Sequence, residues 1–222
     1  IAMLSLHHCP EARSMRALWI LEEMGLPFEL HELDFSMASL RDPAFLAVSP
    51  LGRVPCLVDG DTRVFESGAI IQYLGEHYDS EANPCGRLHR APGDRERTDW
   101  LIWLHYAETM AVHGASLVQQ RVFVGKENRS PVVQKLESKR LIKSLEVVDS
   151  AVAQHPYLLP SGFSAVDIAV GYSVHLATSF VDFTHLTHVS RYYETLRARP
   201  AFQRSLGSRK GQAPSQGNRT HD

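Results

Sequence analysis

Short apolar runs and helical stripes alternate through the first third of the chain. Residues 3 to 8, MLSLHH, have the pattern of a buried strand. From Arg13 to Met24, Met15, Leu18, Trp19 and Glu22-Glu23 recur at helical spacing, and Gly25 closes the run as a C-terminal cap. Pro27 opens PFELHELDF, where Phe28, Leu30 and Glu32 alternate as in a second strand. Strand, helix and strand make a β-α-β unit, with parallel strands joined by a right-handed crossover. SPLGRVPCLVDGDTRVFES, residues 49 to 67, reads as a hairpin whose strands, Val54 to Val58 and Thr62 to Phe65, flank the turn pair Asp59-Gly60. Pro55 interrupts it. A proline has no N–H for a ladder, so it belongs at an edge, at a bulge, or where the backbone is reserved for something other than a strand, such as a peptide-like ligand. Ser67 is then an N-cap for a helix over Gly68 to His77, with Ile70, Ile71 and Leu74 on one face. The order β-α-β, connection, β-β-α predicts a mixed four-stranded sheet with helices against it.

The texture changes after residue 79. DSEANPCGRLHRAPG carries two prolines and two glycines without periodicity, as a linker does. Strands are then absent. Trp100, Trp103, Leu104, Ala107, Met110 and Ala111 share one stripe of a long helix within Asp94 to Val124, and Val133, Leu136, Leu141, Leu145 and Val148 mark another over Val132 to Val152. In SGFSAVDIAVGYSVHLA, Ser164 and Asp167 form a capping box and Phe163 and Ile168 a hydrophobic staple. The helix that follows is apolar on almost every side and is expected at the centre of the second domain. A further helix over 189 to 206 is interrupted by Pro200, and the polar end of the chain reads as disordered. The predicted layout is an α/β domain over 1–79, a linker over 80–93, an all-α domain over 94–206 and a disordered tail over 207–222.

Composition mainly excludes. With 222 residues, 44% hydrophobic, 22% charged and a formal net charge of -2, the chain reads as soluble and globular, with one large or two small domains. No cluster of lysine or arginine points to nucleic acid, and no apolar run approaches the roughly 20 residues of a membrane span. A cytoplasmic location is expected. Cys9, Cys56 and Cys85 are an odd set without a C-x-x-C pair, which argues against a disulfide frame or a metal site.

Taken in order, HHCPEARSMRALWILEEMGLPFEL, the hairpin quoted above, FSAVDIAVGY and RARPAFQR resemble the cytosolic glutathione transferases over residues 3 to 206. The resemblance implies a thioredoxin-like first domain, an all-helical second one and a homodimer. It also implies that glutathione is conjugated to small hydrophobic electrophiles, with no metal. In that family the proline matching Pro55 is cis, which leaves the Val54 backbone facing out to pair with the cysteinyl part of glutathione.

Glutathione carries an α-amino acid on its γ-glutamyl end, so its site needs an anion pocket and a carboxylate close together. Glu66-Ser67 supplies both, although the same pair also reads as a plain helix start. Ser67 and the first N–H groups of its helix suit the carboxylate, and Glu66 suits the ammonium. Arg53 fits the glycyl carboxylate, or is a solvated loop charge.

The thiol-activating residue is less direct. Aligned on Arg16 and Gly25, the positions where several classes carry serine or cysteine are Glu11 and Ala12, which cannot donate. Ala12-Arg13-Ser14 is closest to bacterial and fungal relatives with a Ser-Arg-Ser stretch, which leaves Ser14 as catalyst and Arg13 beside it. Cys9-Pro10 resembles the cysteine motif of omega-class enzymes and glutaredoxins, so a thiol transferase working through Cys9 is the second reading, against a buried thiol. His7 and His8 read as strand-end surface residues. Tyr106, Glu108 and His113 are expected on the first long helix, with Tyr106 assigned to the substrate site. A third reading is a protein that binds glutathione or a hydrophobic ligand without turnover.

Overall fold

The structure, a computed structural model, describes residues 3–210. The chain divides into two compact units: residues up to His89 joined by those from Arg199 onward, and Arg90–Ala198. Among the described residues no helix is long and apolar enough to cross a membrane.

The first unit contains β1 (Leu4–His8), α1 (Met15–Met24), β2 (Phe28–Glu32), short helices α2 (Met37–Leu40) and α3 (Pro43–Leu46), β3 (Cys56–Asp59), β4 (Thr62–Phe65) and α4 (Ser67–Tyr78). The strands form one mixed sheet in the order β2-β1-β3-β4. β1 runs parallel to β2, as the crossover through α1 requires, and β3 is antiparallel to both its neighbours. This is the expected thioredoxin-like layout. Two boundaries differ from the sequence reading. β3 starts at Cys56, not Val54, because Pro55 has no N–H to offer β1. α4 starts on Ser67 itself, with Glu66 in the cap position at φ 73°, so the Ser67 hydroxyl is not a capping group.

The second unit is helical: α5 (Arg97–Val118), α6 (Pro131–Ala151), α7 (Ala165–Ala177) and α8 (Thr187–Arg197). Packed against α5 and α8, α7 is buried from Ala165 through Val174, as its all-round apolar sequence dictates. Its start is over-determined. The fully buried Asp167 accepts from Ser164 N at 2.8 Å, Leu158 N at 3.0 Å and the Tyr192 hydroxyl at 3.0 Å.

After α8 the chain returns to the first unit as α9 (Pro200–Ser205), which packs on α1 with Phe202 edge-on to Trp19 at 4.8 Å. The sequence had placed this helix in the second domain. The reason lies in the last turn of α1, where an acid is unfavourable at the negative end of the helix unless a cation meets it. Glu23 receives Trp19 Nε1 at 2.9 Å and both Nε and Nη2 of Arg199, at 2.6 and 2.8 Å, while Glu22 pairs with Arg204 at 2.5 Å and Arg209 at 2.6 Å. The expected linker is also held: the Asp79 carboxylate accepts from Leu88 N and His89 N. Residues 207–210, read as tail, hydrogen-bond to the first unit through Glu11, Glu32 and Asp34; the rest of the predicted tail lies outside the described residues.

Asp167→Ala leaves a buried hydroxyl and two buried N–H groups without their acceptor. We expect it to lower unfolding stability by about 3 kcal/mol or more, measured by urea denaturation, with Asp167→Asn recovering part of the loss.

Candidate functional site

The two registers of β3 bring three loops to one end of the sheet. Cys56 lies opposite His7 of β1 and opposite Phe65 of β4. In antiparallel pairs, a step backwards along β3 is a step forwards along each neighbour. Pro55 and Val54 therefore precede β3 at the end of the sheet where the chain leaves β1 at His8 and leaves β4 at Phe65.

The loop that delivers Val54 is tightly specified. Arg53 N donates to Ser49 Oγ at 3.2 Å, and that hydroxyl donates to the Arg53 carbonyl at 2.8 Å. Gly52 has φ 60°, and a Cβ there would lie 2.4 Å from the Leu40 carbonyl oxygen, so only glycine fits. The Val54–Pro55 peptide is cis, Pro55 is buried, and the Arg53 side chain is exposed. Buried Cys56 donates its thiol to the Val48 carbonyl at 3.2 Å. On the other side of β3, Glu66 is exposed and holds a positive φ that non-glycine residues rarely adopt, a strain that collects at functional sites. Ser67 is buried, with its Oγ accepting from Nη1 of the fully buried Arg16 at 3.2 Å.

The turn from β1 into α1 is locked by one side chain. Ser14 Oγ accepts from Cys9 N at 3.1 Å, donates to the Cys9 carbonyl at 3.1 Å, and meets His8 Nδ1 at 2.8 Å. A hydroxyl has one hydrogen and two lone pairs, so this set is complete when His8 Nδ1 carries the proton. His8 is fully buried and its Nε2 has no hydrogen-bond partner among the described residues. Burial, the largest cause, drives its pKa from 6.5 down to about 4. Ahead of α1, Glu11 stands exposed at φ 57° with its carboxylate accepting from Gly207 N at 3.3 Å, and Arg13 is half-buried.

The pattern matches known proteins. The family model for the N-terminal domain of glutathione S-transferases fits residues 2–76. Glutathione S-transferase 3 of Zea mays is 30% identical over 218 residues, which cover 94% of this chain and 95% of the relative. The chain belongs to the glutathione S-transferase family. Among solved structures, a glutathione transferase from Phanerochaete chrysosporium with oxidized glutathione shares the fold at TM-score 0.82 and 20% identity, over 92% of this chain and 94% of that one. A theta-class glutathione S-transferase from Xanthomonas axonopodis pv. citri with glutathione bound has TM-score 0.79 and 27% identity, over 94% and 99%.

In this member of the glutathione S-transferase family several sequence expectations at the start of α1 need correction. Ser14 does not present a free donor: it is fully buried and its hydroxyl serves His8 and the Cys9 backbone. Cys9 is also fully buried, and burial, then the charges of Asp34 and Glu32, pushes its thiol up to about 11, the reverse of an activated cysteine. His8 is buried, not a surface residue, and His7 is half-buried and stacks on His31 at 4.6 Å. In the second unit, the Tyr106 hydroxyl donates to the Ser144 carbonyl at 3.1 Å and ties α5 to α6. Trp100 is core as expected, whereas Trp103 is half-buried. Arg16, which carried no role in the sequence reading, stands inside the buried stripe of α1. A charge among Met15, Leu18 and Trp19 was the signal for it.

The His8 shift has a direct consequence for stability. The unfolded chain binds a proton on His8 near pH 6.5, while the folded chain does so only near 4. Full stability is thus present above about pH 6.5, and on the order of 3 kcal/mol is lost as pH falls towards 4. Urea titrations between pH 7 and 5 should show this fall, and His8→Asn, which keeps a hydrogen bond to Ser14, should reduce it without removing it, because burial lowers His7 to about 4 as well.

Proposed function

We propose that the first unit binds glutathione and that the protein activates it for attack on small hydrophobic electrophiles. The observation that carries this reading is the register of β3, which brings Val54 and Pro55, outside the ladder, to the end of the sheet where β4 runs on into Glu66 and Ser67. In this reading Val54 pairs with the cysteinyl backbone and Ser67 with the first N–H groups of α4 takes the γ-glutamyl carboxylate. Glu66 takes the ammonium and Arg53 the glycyl carboxylate. The reaction forms a carbon–sulfur bond from the thiolate lone pair while the electrophile releases a leaving group or shifts its π electrons. With Ser14 and Cys9 committed elsewhere, the thiolate is stabilised by the Arg13 cation and the positive end of α1. The bacterial or fungal subtype is carried by Ala12-Arg13-Ser14. A homodimer fits the exposed apolar Leu51 and Phe65 of the first unit, and a cytoplasmic location belongs to the same reading.

A second reading, binding without turnover, is favoured by Glu11. It stands where relatives carry a hydroxyl or thiol, and its carboxylate holds Gly207. A thiol transferase through Cys9 has no such support.

The ultraviolet absorbance of bound thiolate, titrated against pH, separates these readings. We expect a bound-thiol pKa below that of free glutathione, raised by about 1 unit or more in Arg13→Ala and unchanged in Ser14→Ala where that variant folds. Glutathione that binds with an unmoved thiol pKa would establish the second reading.

A further inference from the structure

Residues 207–210, which follow α9, form a strap in which every residue meets a carboxylate. Gly207 N donates to Glu11 at 3.3 Å and the Ser208 hydroxyl donates to Glu32. Arg209 N also donates to Glu32, at 2.6 Å, while its side chain reaches Glu22 at 2.6 Å, and the Lys210 ammonium donates to Asp34. Gly207 makes the turn off α9 at φ 67°. Ser208 and Lys210 are exposed, and none of the four residues carries an apolar side chain into the core. The course of the strap follows the acids.

Those acids ring the turn from β1 into α1. Glu11 lies in the turn itself. Glu32 pairs with His8 in the register of β1 and β2, and Leu33 N donates to the His8 carbonyl at 2.8 Å, so Glu32 and Asp34 flank the residue that closes the ladder beside the turn. Glu11, Glu32 and Asp34 are three like charges for an anion formed at the start of α1, against the cation of Arg13, and like charges disfavour ionisation. Lys210 adds a second cation to that rim. Its field reaches the turn: at the Cys9 thiol burial is the largest effect, Asp34 and Glu32 push the same way, and Lys210 opposes them.

We propose that Lys210 is a positioning residue for thiol ionisation: carried by the strap onto Asp34, it offsets the acidic rim of the β1–α1 turn so that a glutathione thiolate can form there. The proposal rests on the glutathione reading above and deepens it, since it gives a residue beyond α9 a part in activating the thiol. The Lys210–Asp34 pair is half-exposed on the lysine side and more exposed on the aspartate side, so it adds little to stability and its substitution leaves the fold intact. A merely structural Lys210 would affect every ligand of the site alike.

Two titrations at low ionic strength test this: the ultraviolet absorbance of bound glutathione thiolate against pH, and calorimetry with γ-glutamyl-2-aminobutyryl-glycine, the same tripeptide frame without sulfur. Lys210→Gln should raise the bound-thiol pKa by about half a unit and Lys210→Glu by about twice that, while Lys210→Arg keeps the wild-type value. In about 1 M salt these differences should fade. Affinity for the sulfur-free tripeptide should stay put throughout. Asp34→Asn added to Lys210→Gln should return the thiol pKa to wild type, which a lost structural tie would not do. The proposal falls if Lys210→Glu leaves the thiol pKa unmoved, if Lys210→Gln weakens both tripeptides alike, or if Asp34→Asn fails to restore it. An unshifted thiol pKa in wild type that still rises in Lys210→Glu supports the role of Lys210 and removes the activation. Wild type that binds neither tripeptide overturns the glutathione reading and this proposal together.

Discussion

Cys56 pairs with His7 on one side and with Phe65 on the other, and the rest of the first unit depends on that double register. A slip of one residue would turn every side chain of β3 to the opposite face, exposing Leu57 and burying the partly exposed Val58. It would also part Val54 from Ser67. The register is held by the buried faces of β1 and β3 and, at the entry to β3, by the Ser49–Arg53 staple and the glycine beneath Leu40. The placement of the Val54 backbone is thus a consequence of core packing.

Around that sheet, α1 is buried on every side, and its charges are the second constraint. Burying a carboxylate is costly unless it is paired and hydrogen-bonded. Glu23 meets this with Trp19 and two nitrogens of Arg199, and Glu22 with Arg204 and Arg209. These pairs recruit α9 and the residues after it into the first unit. The same helix begins beside the lock made by His8, Ser14 and the Cys9 backbone, so both of its ends are fixed by polar groups: a buried set at the start and buried glutamates met by partly exposed arginines at the end.

Much of this was legible in the sequence. Short apolar runs and one alternating run located the four strands, Gly25 ended α1 with φ 64°, and the hairpin was found with its turn one residue later than read, at Gly60-Asp61, since Asp59 pairs with Thr62. Pro55 stood out as a proline inside a hairpin, and Glu66-Ser67 became a candidate pair because small motifs in the right order carry a family resemblance. Legibility stopped where a residue's role depends on partners distant in sequence. Ser14 and Cys9 looked reactive because serine and cysteine at a helix start usually are; nothing local reveals that His8 and the Cys9 backbone enclose them. Glu22 and Glu23 sat at the wrong end of a helix dipole, a clue that some cation lay nearby, but not that it came from the far end of the chain. Ser67 was read as a cap because serine before an apolar run usually is one, and its real partner is a buried arginine on another helix.

The central claim is that the Val54 backbone, free of the β ladder and set beside Ser67, is the surface on which glutathione lies. Amide chemical shifts and hydrogen exchange of the ¹⁵N-labelled protein, followed as glutathione is added, test it most directly. The account predicts that the Val54 amide shifts and slows in exchange on the same titration curve as Gly68 and Ala69 at the start of α4. Saturable glutathione binding that leaves the Val54 and Gly68 amides unmoved would contradict it.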